Sequence, residues 1–511
     1  MSLPETVYRE FAAVVGERYI SDKEYILAGN RAKTPDAGFP FRSPEAILLP
    51  GSAEEVAEIV RICNRRGLHY VPSVSGAIML AYCMQPNSVL VDLKRIDRIL
   101  EINEEDRYAV IEPGVRHVQL YPELRKRGLS YPAAAVGPGG SVLASISSFG
   151  GDNHVMYGSS RPNRHLLGVE IVMPEGEILR TGSLQTGAGW FCSESPGPSL
   201  RGLIKGFSGN HGDMGIVTKC AIALDPCKGP EEFRTEGISP HIRTYLDDEC
   251  GSVYVFNFES IQDVGDAMRA LGECEVCSTV IKYFYLPMTL MMTDSANAFF
   301  EKWNGFIKDN VRMPLVIHIA ARSVREREYE EKIVFDVMEE TRGKRVPRDI
   351  EKWFEENMDF FMIVSRLQSV LRLGGQWNPI KLGGDSVQHM CDVGDAVSEF
   401  IFDFTETGKI FDAPYDYQVI PMEYGHFAMI ELLYMWDRLD PNSGRYSMEF
   451  MRASQETDLK HHYHSSTVQG FDQRAEALGR LYSDCHVWMR RIKEAYDPYY
   501  KPMPMGVFGK P

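Results

Sequence analysis

The sequence predicts an α+β protein with more than one domain, and three observations support this prediction. The chain has 511 residues, which is more than a single hydrophobic core usually organises. Residues 45–225 alternate short β-rich runs with helical patterns, whereas residues 230–450 carry longer helical stretches between strand candidates. The last part of the chain is again helical. We therefore predict two α+β domains followed by a helical C-terminal segment.

Each element of the first region has a local signal. A helix is predicted from Ser52, because Ser52 can cap it, Glu55 follows three residues later, and apolar residues then recur at helical spacing. A short amphipathic helix is predicted before Gly128. Pro174–Glu177 has the composition of a tight turn and predicts a hairpin between its flanking strands. The predicted strands are HYVPSV, SVLVDL, AVIEPGV, GVEIVMP, EILRTG and GIVTKCAIAL.

The second region combines long helical patterns with well separated strands. Its helical candidates include EEKIVFDVMEETRGK and VSEFIFDFTETG, and its strand candidates include GSVYVFNF, MPLVIHIAAR and YDYQVIPME. The C-terminal stretch FDQRAEALGRLYSDCHVWMRRIKEAYDP is predicted to be helical and to end at Asp497-Pro498.

Composition excludes several classes of function. The formal net charge is −16, which disfavours nucleic acid and anionic membrane surfaces as partners. The N-terminus lacks the pattern of a secretory signal, and no apolar run is long enough to span a membrane. The ten cysteines are scattered, as in reduced cytoplasmic proteins. Cys274 and Cys277 form an isolated C-x-x-C pair without further ligands nearby, so we expect no metal there.

Four glycine-containing points in the first region follow predicted strands: the opening loop with Gly76, GPGGSVLASISSFGG, YGSSRPN and GNHGDMGIVT. Glycine lets a backbone approach a ligand closely, and successive backbone N–H groups can surround phosphate oxygens. Any one of these runs could be only a turn. Their combination with strands predicts a nucleotide-cofactor site.

The order of these segments resembles the FAD-binding domain of the vanillyl-alcohol oxidase and para-cresol methylhydroxylase superfamily. The matching pieces are LVDLKRIDRILEIN, YAVIEPGV, GGSVLAS, GVEIVMPEGEILRTG, GPSLRGL and GDMGIVTK, within residues 41–226. The resemblance implies a two-subdomain FAD-binding domain over residues 1–228 and an α+β cap domain for substrate over 229–450. It further implies that residues 451–511 return to the FAD-binding domain.

The same resemblance implies where FAD is held. The opening loop from Pro72 to Pro86 matches the family in position and length, but Ala77–Leu80 replace residues that are usually more polar or glycine. Backbone N–H groups do not depend on the side chain, so we still expect this loop to bind FAD. The residues expected along the cofactor are Ser75, Gly76, Ala77, Ile78, Met79, Gly139, Gly140, Ser141, Ser145, Tyr157, Gly212, Gly215, Ile216 and Val217.

The segment KHHYHSS holds the densest group of candidate catalytic side chains. By resemblance, Tyr463 and His464 stand where the phenol-oxidising branch has a Tyr-Arg pair that binds the phenolate. A histidine can exchange a proton near neutral pH, which a guanidinium cannot. In an extended segment His462 and His464 would point to one side. Tyr82 lies within one residue of another phenol-binding tyrosine of the family. The alternatives are a surface histidine run and a core or rim tyrosine.

A second candidate segment is PMEYGHFAMIELLY. In the 2-hydroxy-acid branch a Gly-His pair in such a strand begins a two-histidine metal site. Gly425-His426 matches this pair, but Leu433 occupies the position of the second histidine, so we expect no metal. Glu423 or His426 could instead face the substrate.

The mode of FAD attachment is also implied by resemblance. The stretch FIFDFTETGKIF corresponds to the covalent attachment region of the phenol-oxidising branch and contains no histidine. Ser159 or Ser160 stands where a carboxylate assists the attachment. We therefore expect non-covalent FAD.

The resemblance predicts an FAD-dependent dehydrogenase or oxidase that transfers a hydride from a phenolic or aromatic alcohol to the flavin. Two alternatives remain open: an FAD-dependent 2-hydroxy-acid dehydrogenase, and a flavin-poor subunit of a larger redox complex. The expected partners are a small-molecule substrate and an electron-accepting protein or subunit, in a cytoplasmic homodimer.

Overall fold

The computed structural model describes residues 3–30, 42–75, 85–133, 137–147, 155–156, 162–183, 187, 189, 202, 204, 212–238, 242–362, 379–433, 435, 440–463, 465–466, 476 and 478–499. The chain divides into two compact units. The first contains residues 1–151, 162–225 and 469–511, and the second contains residues 152–161 and 226–468. In this division residues 451–468, which the sequence assigned to the return segment, are part of the second unit.

The first unit contains a four-stranded sheet. Its strands lie in the order Ile20–Ser21, Ala46–Leu48, Ser88–Asp92 and His69–Ser73. The last three are parallel to one another, while Ile20–Ser21 pairs antiparallel. Parallel strands need a crossover connection, and the helix between Ala46–Leu48 and His69–Ser73 supplies it.

This crossover helix, Ala53–Arg66, begins where the sequence predicts. The Ser52 side chain accepts a hydrogen bond from the Glu55 amide, and the helix ends at Gly67 in the left-handed region, with φ 65°. Val56, Val60 and other apolar residues of one face are buried against the sheet.

The second sheet of the first unit is wholly antiparallel. Its strands lie in the order Ile99–Asn103, Tyr108–Ile111, Ile216–Ala223, Leu166–Val172 and Ile178–Arg180. The pairing of the last two strands confirms the hairpin predicted around Pro174–Glu177.

The remaining elements of this unit are short. They are the helices Glu5–Val15, Glu24–Gly29, His117–Arg125, Val142–Ser147 and Cys485–Tyr496, the 3-10 turns Glu17–Tyr19, Leu93–Arg95, Pro162–His165 and Gly479–Tyr482, and the strand Leu129–Ser130. The strand Asp225–Pro226 lies at the unit boundary.

The predicted C-terminal helix is interrupted. The described helix starts only at Cys485, because Ser483 and Asp484 both have φ 53°. Residues with left-handed backbone cannot continue a right-handed helix. The expectation of one helix up to Asp497 was therefore wrong at this point, while residues 471–475 lie outside the described part.

The second unit is built on one eight-stranded sheet, and all its pairings are antiparallel. In spatial order the strands are Lys344–Arg345, Gly251–Asn257, Pro314–Ala320, Thr279–Lys282, Tyr417–Met422, Phe427–Leu433, Pro379–Asp385 and Ser465–Ser466. A separate hairpin joins Thr235–Glu236 and Arg243–Thr244.

Helices cover one face of this sheet and form the core with it. Val280, Ile317, Val419 and Ile430 of the strands pack in one apolar cluster with the helices Ile261–Glu273, Val324–Glu340 and Val387–Glu406. The other helical elements are Tyr285–Met291, Ala296–Lys302, the π-helix Trp303–Ile307, Lys308–Asn310, Arg348–Glu355, the 3-10 turn Met358–Phe361 and Ser443–His461. Because side chains alternate along a strand, the neighbouring strand positions point to the opposite face.

Candidate functional site

The glycine-rich loop of residues 137–141 is held by its own backbone and by Ser141. Gly137 has φ 86°, and the Gly140 N–H donates to the Gly137 oxygen at 3.2 Å. The buried Ser141 hydroxyl donates to the Pro113 carbonyl at 2.5 Å and accepts from the Ala144 N–H at 3.1 Å. The loop is therefore fixed on the edge of the helix Val142–Ser147.

Gly139 is the exposed point of this loop. A Cβ atom built on Gly139 meets no atom of the described residues within 4 Å, so among these residues the space in front of its backbone is open. Gly140, Ser141 and Ser145 are buried behind it. The loop thus fits a ligand that approaches the backbone at Gly139, as the pyrophosphate of FAD would.

A buried, uncharged histidine is connected to this loop through the Ser145 hydroxyl. His117 is buried, and burial lowers its pKa to about 3. Its Nδ1 lies 2.5 Å from the Tyr131 hydroxyl and its Nε2 lies 3.3 Å from the Ser145 hydroxyl, which donates to the Ser141 carbonyl. His117 therefore donates from Nε2 and accepts at Nδ1. No motif in the sequence marked His117, because its partners are distant in the chain.

The second glycine-rich loop approaches a strand rather than open space. Gly215 has φ 132°, and a Cβ atom on Gly215 would lie 2.4 Å from the Val172 carbonyl oxygen. The Gly215 N–H donates to the Gly212 oxygen at 3.2 Å. Ile216 and Val217 are buried in the strand that follows. Packing alone therefore requires glycine at position 215. The predicted backbone contacts of Gly212, Gly215, Ile216 and Val217 with FAD stay a prediction.

A buried lysine ties the C-terminal helix to this loop. Lys493 Nζ donates to the Asp213 backbone oxygen and lies 2.8 Å from Asp497 Oδ2. Lys493, Asp497 and Asp213 are all buried. Burial of one partner alone would cost several kcal/mol, so this pair fixes the position of the helix on the Gly212–Gly215 loop. The sequence shows the i, i+4 spacing but not the burial.

The other predicted FAD contacts lie at the edge of the described part or outside it. Ser75 is exposed at the end of the strand His69–Ser73. Gly76, Ala77, Ile78 and Met79, together with Tyr82, Tyr157 and His464, lie outside the described residues.

Tyr463 is placed in the core of the second unit. Its hydroxyl donates to the Asp392 carbonyl at 3.1 Å, and its ring lies 5.3 Å from the rings of both His389 and His461. Burial raises the pKa of the Tyr463 phenol. Its contact with a substrate remains a prediction.

The segment around His462 is not extended. The helix Ser443–His461 includes the first histidine of this segment. His462 follows it and ends the helix, because its backbone is in the left-handed region with φ 57°. The N–H groups of His462 and Tyr463 both close on the Asp458 carbonyl, as at many helix ends. The extended segment that would point His462 and His464 to one side is therefore not present at His462, and His464 lies outside the described residues. His462 is exposed.

Glu423 and His426 belong to a tight turn and not to a strand. Glu423, Tyr424 and Gly425 have φ of 52°, 53° and 83° and connect the strands Tyr417–Met422 and Phe427–Leu433. His426 is exposed beside this turn and Glu423 is half-buried. The expectation that both residues line a strand was wrong, because the chain reverses there.

A buried polar pair lies on the sheet face opposite the helices Ile261–Glu273, Val324–Glu340 and Val387–Glu406. Gln418 and Glu431 are register partners on adjacent strands, and Gln418 Nε2 donates to Glu431 Oε2 at 2.5 Å. They alternate with Val419 and Ile430, which point into the helix-covered core. Both polar side chains are at most 9 % exposed.

Aromatic rings also pack on this face of the sheet. Tyr283 and Phe360 pack edge to face at 4.9 Å, and His318 stacks on Phe361 at 4.6 Å. Burial, together with the carboxylates of Glu431 and Asp416, raises the pKa of the Tyr283 phenol. The charge of Glu431 is therefore close enough to act on this ring.

A buried lysine on the helix-covered face has a different role. Lys282 Nζ donates to the carbonyls of Tyr415 and Tyr417 and lies 3.9 Å from the centre of the Tyr417 ring. Burial lowers the pKa of Lys282 to about 7. These contacts enclose the ammonium group, so Lys282 stabilises the strand end and does not present an amine to a ligand.

The described residues show neither a metal-binding cluster nor a membrane-spanning helix. Within the described part of the chain, no three His, Cys, Asp or Glu side chains are grouped as a metal site. Cys274 and Cys277 carry free thiols. Among the described helices, none combines the length and the apolar character that a membrane span requires.

Comparison with known proteins supports the assignment of the first unit. Residues 44–182 match the model of the FAD binding domain family FAD_binding_4. The glycolate oxidase subunit GlcD of Bacillus subtilis is 29% identical over 215 residues, which are 41% of this chain and 42% of that protein. The 1'-carboxy-chondrochloren decarboxylase of Chondromyces crocatus is 33% identical over 43% of this chain and 40% of its own length. These matches thus span about two fifths of the curated relatives.

Solved structures match over nearly the whole chain. The 4-ethylphenol oxidase from Gulosibacter chungangensis has a TM-score of 0.76 at 20% identity, over 99% of this chain and 97% of its own. p-Cresol methylhydroxylase has a TM-score of 0.78 at 18% identity, over 98% and 96%. The protein therefore carries an FAD-binding domain. Its fold is that of the vanillyl-alcohol oxidase and para-cresol methylhydroxylase superfamily, as the sequence predicted.

Proposed function

We propose that this protein is an FAD-dependent oxidoreductase that oxidises a phenolic or aromatic alcohol. The observation that carries the proposal is a group of aromatic rings on the sheet face opposite the helices Ile261–Glu273, Val324–Glu340 and Val387–Glu406. Tyr283 packs there on Phe360 and His318 on Phe361, and Tyr283 is close enough to Glu431 for its charge to raise the pKa of the phenol. Aromatic rings prefer edge-to-face and offset contacts with other rings, so this group suits an aromatic ligand.

FAD supplies the hydride-accepting ring of this reaction. The backbone around Gly139 would hold the cofactor, with Ser141 and His117 fixing the loop behind it. Because His117 is uncharged and enclosed, it orients the loop and does not take part in proton transfer.

Anaerobic reduction of the bound flavin tests the proposed function. Excess 4-hydroxybenzyl alcohol is expected to bleach the flavin absorbance of the purified protein, whereas D-lactate and glycolate are not. Bleaching by the 2-hydroxy acids alone would overturn the proposal. Purification without about one FAD per chain would instead favour a flavin-poor subunit.

The second candidate function is oxidation of a 2-hydroxy acid. The sequence likeness to the Bacillus subtilis glycolate oxidase subunit, and to a protein named probable D-lactate dehydrogenase from Danio rerio, favours it. A carboxylate substrate needs a cationic or metal partner, and Leu433 replaces the second histidine of the site that the 2-hydroxy-acid branch uses. The proposal therefore ranks the aromatic alcohol first.

We propose, as an alternative to a ligand on that face, that Tyr463 and His464 contact the substrate oxygen, as their positions relative to the phenol-oxidising branch imply; Tyr463 packs in the apolar cluster on the other side of the sheet. Tyr463→Phe is expected to slow flavin reduction about 10- to 100-fold, because it removes a hydrogen bond made to the developing anion. Stopped-flow reduction with 4-hydroxybenzyl alcohol measures this, with His464→Ala tested in parallel. If the unfolding midpoint falls but the rate is unchanged, Tyr463 serves only the Asp392 contact.

We propose that FAD is bound without a covalent link. The stretch from Phe400 to Phe411 that corresponds to the attachment region contains no histidine. Acid precipitation is expected to leave a yellow supernatant over a colourless pellet. A pellet that keeps the flavin absorbance after washing would contradict this.

The net charge of −16 supports an electron acceptor with a basic surface. We propose that the protein works as a cytoplasmic homodimer, and sedimentation velocity of the purified chain checks the dimer.

A further inference from the structure

One short segment of the chain leaves the first unit and returns to it. Residues 152–161, the crossing segment, group with the second unit, although the residues that flank them on both sides belong to the first. The two flanks lie next to each other, because the helix Val142–Ser147 packs against the 3-10 turn Pro162–His165. This helix directly continues the glycine-rich loop of residues 137–141. The crossing segment therefore starts from the elements that carry the loop expected to hold FAD, and returns to them.

Met156 fixes the crossing segment inside the second unit. Its N–H donates to the Ser278 carbonyl at 2.8 Å, and its own carbonyl accepts from the Tyr424 N–H at 3.0 Å. Met156 is 0 % exposed, and its side chain belongs to the apolar cluster that the sheet forms with its helices. Both backbone groups and the side chain of this residue are thus bound to the second unit.

The two backbone partners of Met156 are themselves held in place. Tyr424 lies in the turn where three consecutive residues have positive φ. Gly272 packs so closely on this turn that a Cβ atom on it would lie 2.3 Å from the Tyr424 carbonyl oxygen. On the other side, the Ser278 N–H donates to the His318 carbonyl at 2.8 Å, which joins Ser278 to the neighbouring strand. Met156 is therefore attached to a well-packed part of the second unit.

We propose that Met156 is a positioning residue for FAD, which raises the affinity for the cofactor by anchoring the crossing segment. Tyr157, which the family resemblance places at FAD, follows Met156 directly, and residues 148–154 connect Met156 to the helix behind the glycine-rich loop. Ordering a chain segment costs conformational entropy, and a segment that is already anchored loses less of it when a ligand binds. Met156 thus acts through its neighbours in the chain. The inference rests on the FAD-binding domain and does not depend on the substrate.

Met156→Ala removes most of the anchoring side chain, and Met390→Ala is the matched control. Met390 is also 0 % exposed in the same apolar cluster, on the helix Val387–Glu406. Both changes leave a cavity in this cluster, so both should lower the midpoint of urea unfolding. We expect the FAD dissociation constant to rise about 10- to 100-fold in Met156→Ala and by less than about threefold in Met390→Ala, since only the first change loosens the crossing segment. The fluorescence of FAD released on dilution of the purified protein measures both constants.

Met156→Leu tests for rescue by a conservative change. Leucine fills nearly the same volume and keeps both backbone hydrogen bonds, so the FAD dissociation constant should stay within about threefold of that of the unmodified protein. If Met156 only filled the core, FAD affinity would instead follow the unfolding midpoint alike in every variant.

Equal FAD affinity in folded Met156→Ala and Met390→Ala would overturn the inference, even if aromatic alcohols reduce the flavin. The proposed function can fail separately: no aromatic alcohol would then reduce the flavin, although the two variants would still differ in FAD affinity. If Met156→Ala does not fold, the smaller changes Met156→Val and Met390→Val decide by the same comparison.

Discussion

Lys493→Met is expected to destabilise the protein by about 3–5 kcal/mol, because it leaves the buried Asp497 carboxylate without its cation. Lys493 and Asp497 lie 2.8 Å apart with both side chains at most 2 % exposed. The substitution also removes the donor to the Asp213 carbonyl. Urea unfolding followed by circular dichroism measures the loss, and the FAD content is expected to fall as well, since the C-terminal helix holds the Gly212–Gly215 loop.

A double variant separates charge imbalance from the loss of packing. Lys493→Met with Asp497→Leu removes both charges and should recover most of the lost stability, since a buried ion pair is often replaceable by apolar residues of similar size. Lys302→Met is the matched control, because Lys302 and Asp349 form a 2.9 Å pair that is partly exposed, and such pairs contribute about 0–1 kcal/mol. A loss below about 1 kcal/mol in Lys493→Met would show that the pair does not hold the helix.

The features that could be predicted from sequence are those set by neighbouring residues. Ser52 caps its helix as expected, because the cap and the Glu55 amide are three residues apart. The hairpin around Pro174–Glu177 formed where predicted because turn chemistry is local. The order of strands along residues 41–226 was enough to indicate an FAD-binding domain, which the family match to residues 44–182 confirms.

The features that escaped prediction depend on partners distant in the chain. The predicted approach of Gly215 to FAD stays a prediction, but the sequence did not show that this residue also packs against the carbonyl of Val172 from another strand. Gln418 and Glu431 are thirteen positions apart and meet only because the hairpin register pairs them. A sequence shows the spacing of Lys493 and Asp497, but burial depends on what packs over them.

The errors around the candidate catalytic residues have a common physical origin. His462 was expected in an extended segment, yet Lys460 and His461 lie in the last turn of a helix, where basic residues are favoured by the helix dipole. Glu423 was expected in a strand, yet three consecutive residues with positive φ reverse the chain there. In both cases the apolar periodicity that predicts secondary structure ended a few residues before His462 or Glu423. It therefore could not predict the backbone conformation of these two residues.

The two glycine-rich loops lead to different expectations for FAD. Gly215 cannot accept a side chain whether or not FAD is present, since packing against Val172 excludes a Cβ atom. A substitution at Gly215 would therefore report on folding. Among the described residues, a Cβ atom on Gly139 meets no neighbour. A side chain there would therefore clash only with a ligand that occupies this space. This makes Gly139 the sharper position for a test of cofactor binding.

Gly139→Val is expected to give folded protein that has lost most of its FAD. The φ of Gly139 is not in the region reserved for glycine, and no atom of the described part of the chain lies within 4 Å of the new Cβ, so the fold should tolerate valine. The branched side chain would occupy the space through which a phosphate reaches the backbone. We expect FAD affinity to fall at least about 100-fold, which corresponds to a loss of about 2.7 kcal/mol. The ratio of flavin to protein absorbance after gel filtration, and the recovery of colour on titration with FAD, measure this.

Gly29→Val is the matched control for this experiment. Gly29 ends the helix Glu24–Gly29 in the same unit, and a Cβ atom on Gly29 also meets no described residue within 4 Å. The control should keep its FAD, since it shares the added bulk and the backbone change but not the position. If Gly139→Val keeps stoichiometric FAD with the affinity of the unmodified protein, the loop of residues 137–141 is only a turn. FAD would then be held without a close approach to Gly139, and the open space in front of this residue would have no role in cofactor binding.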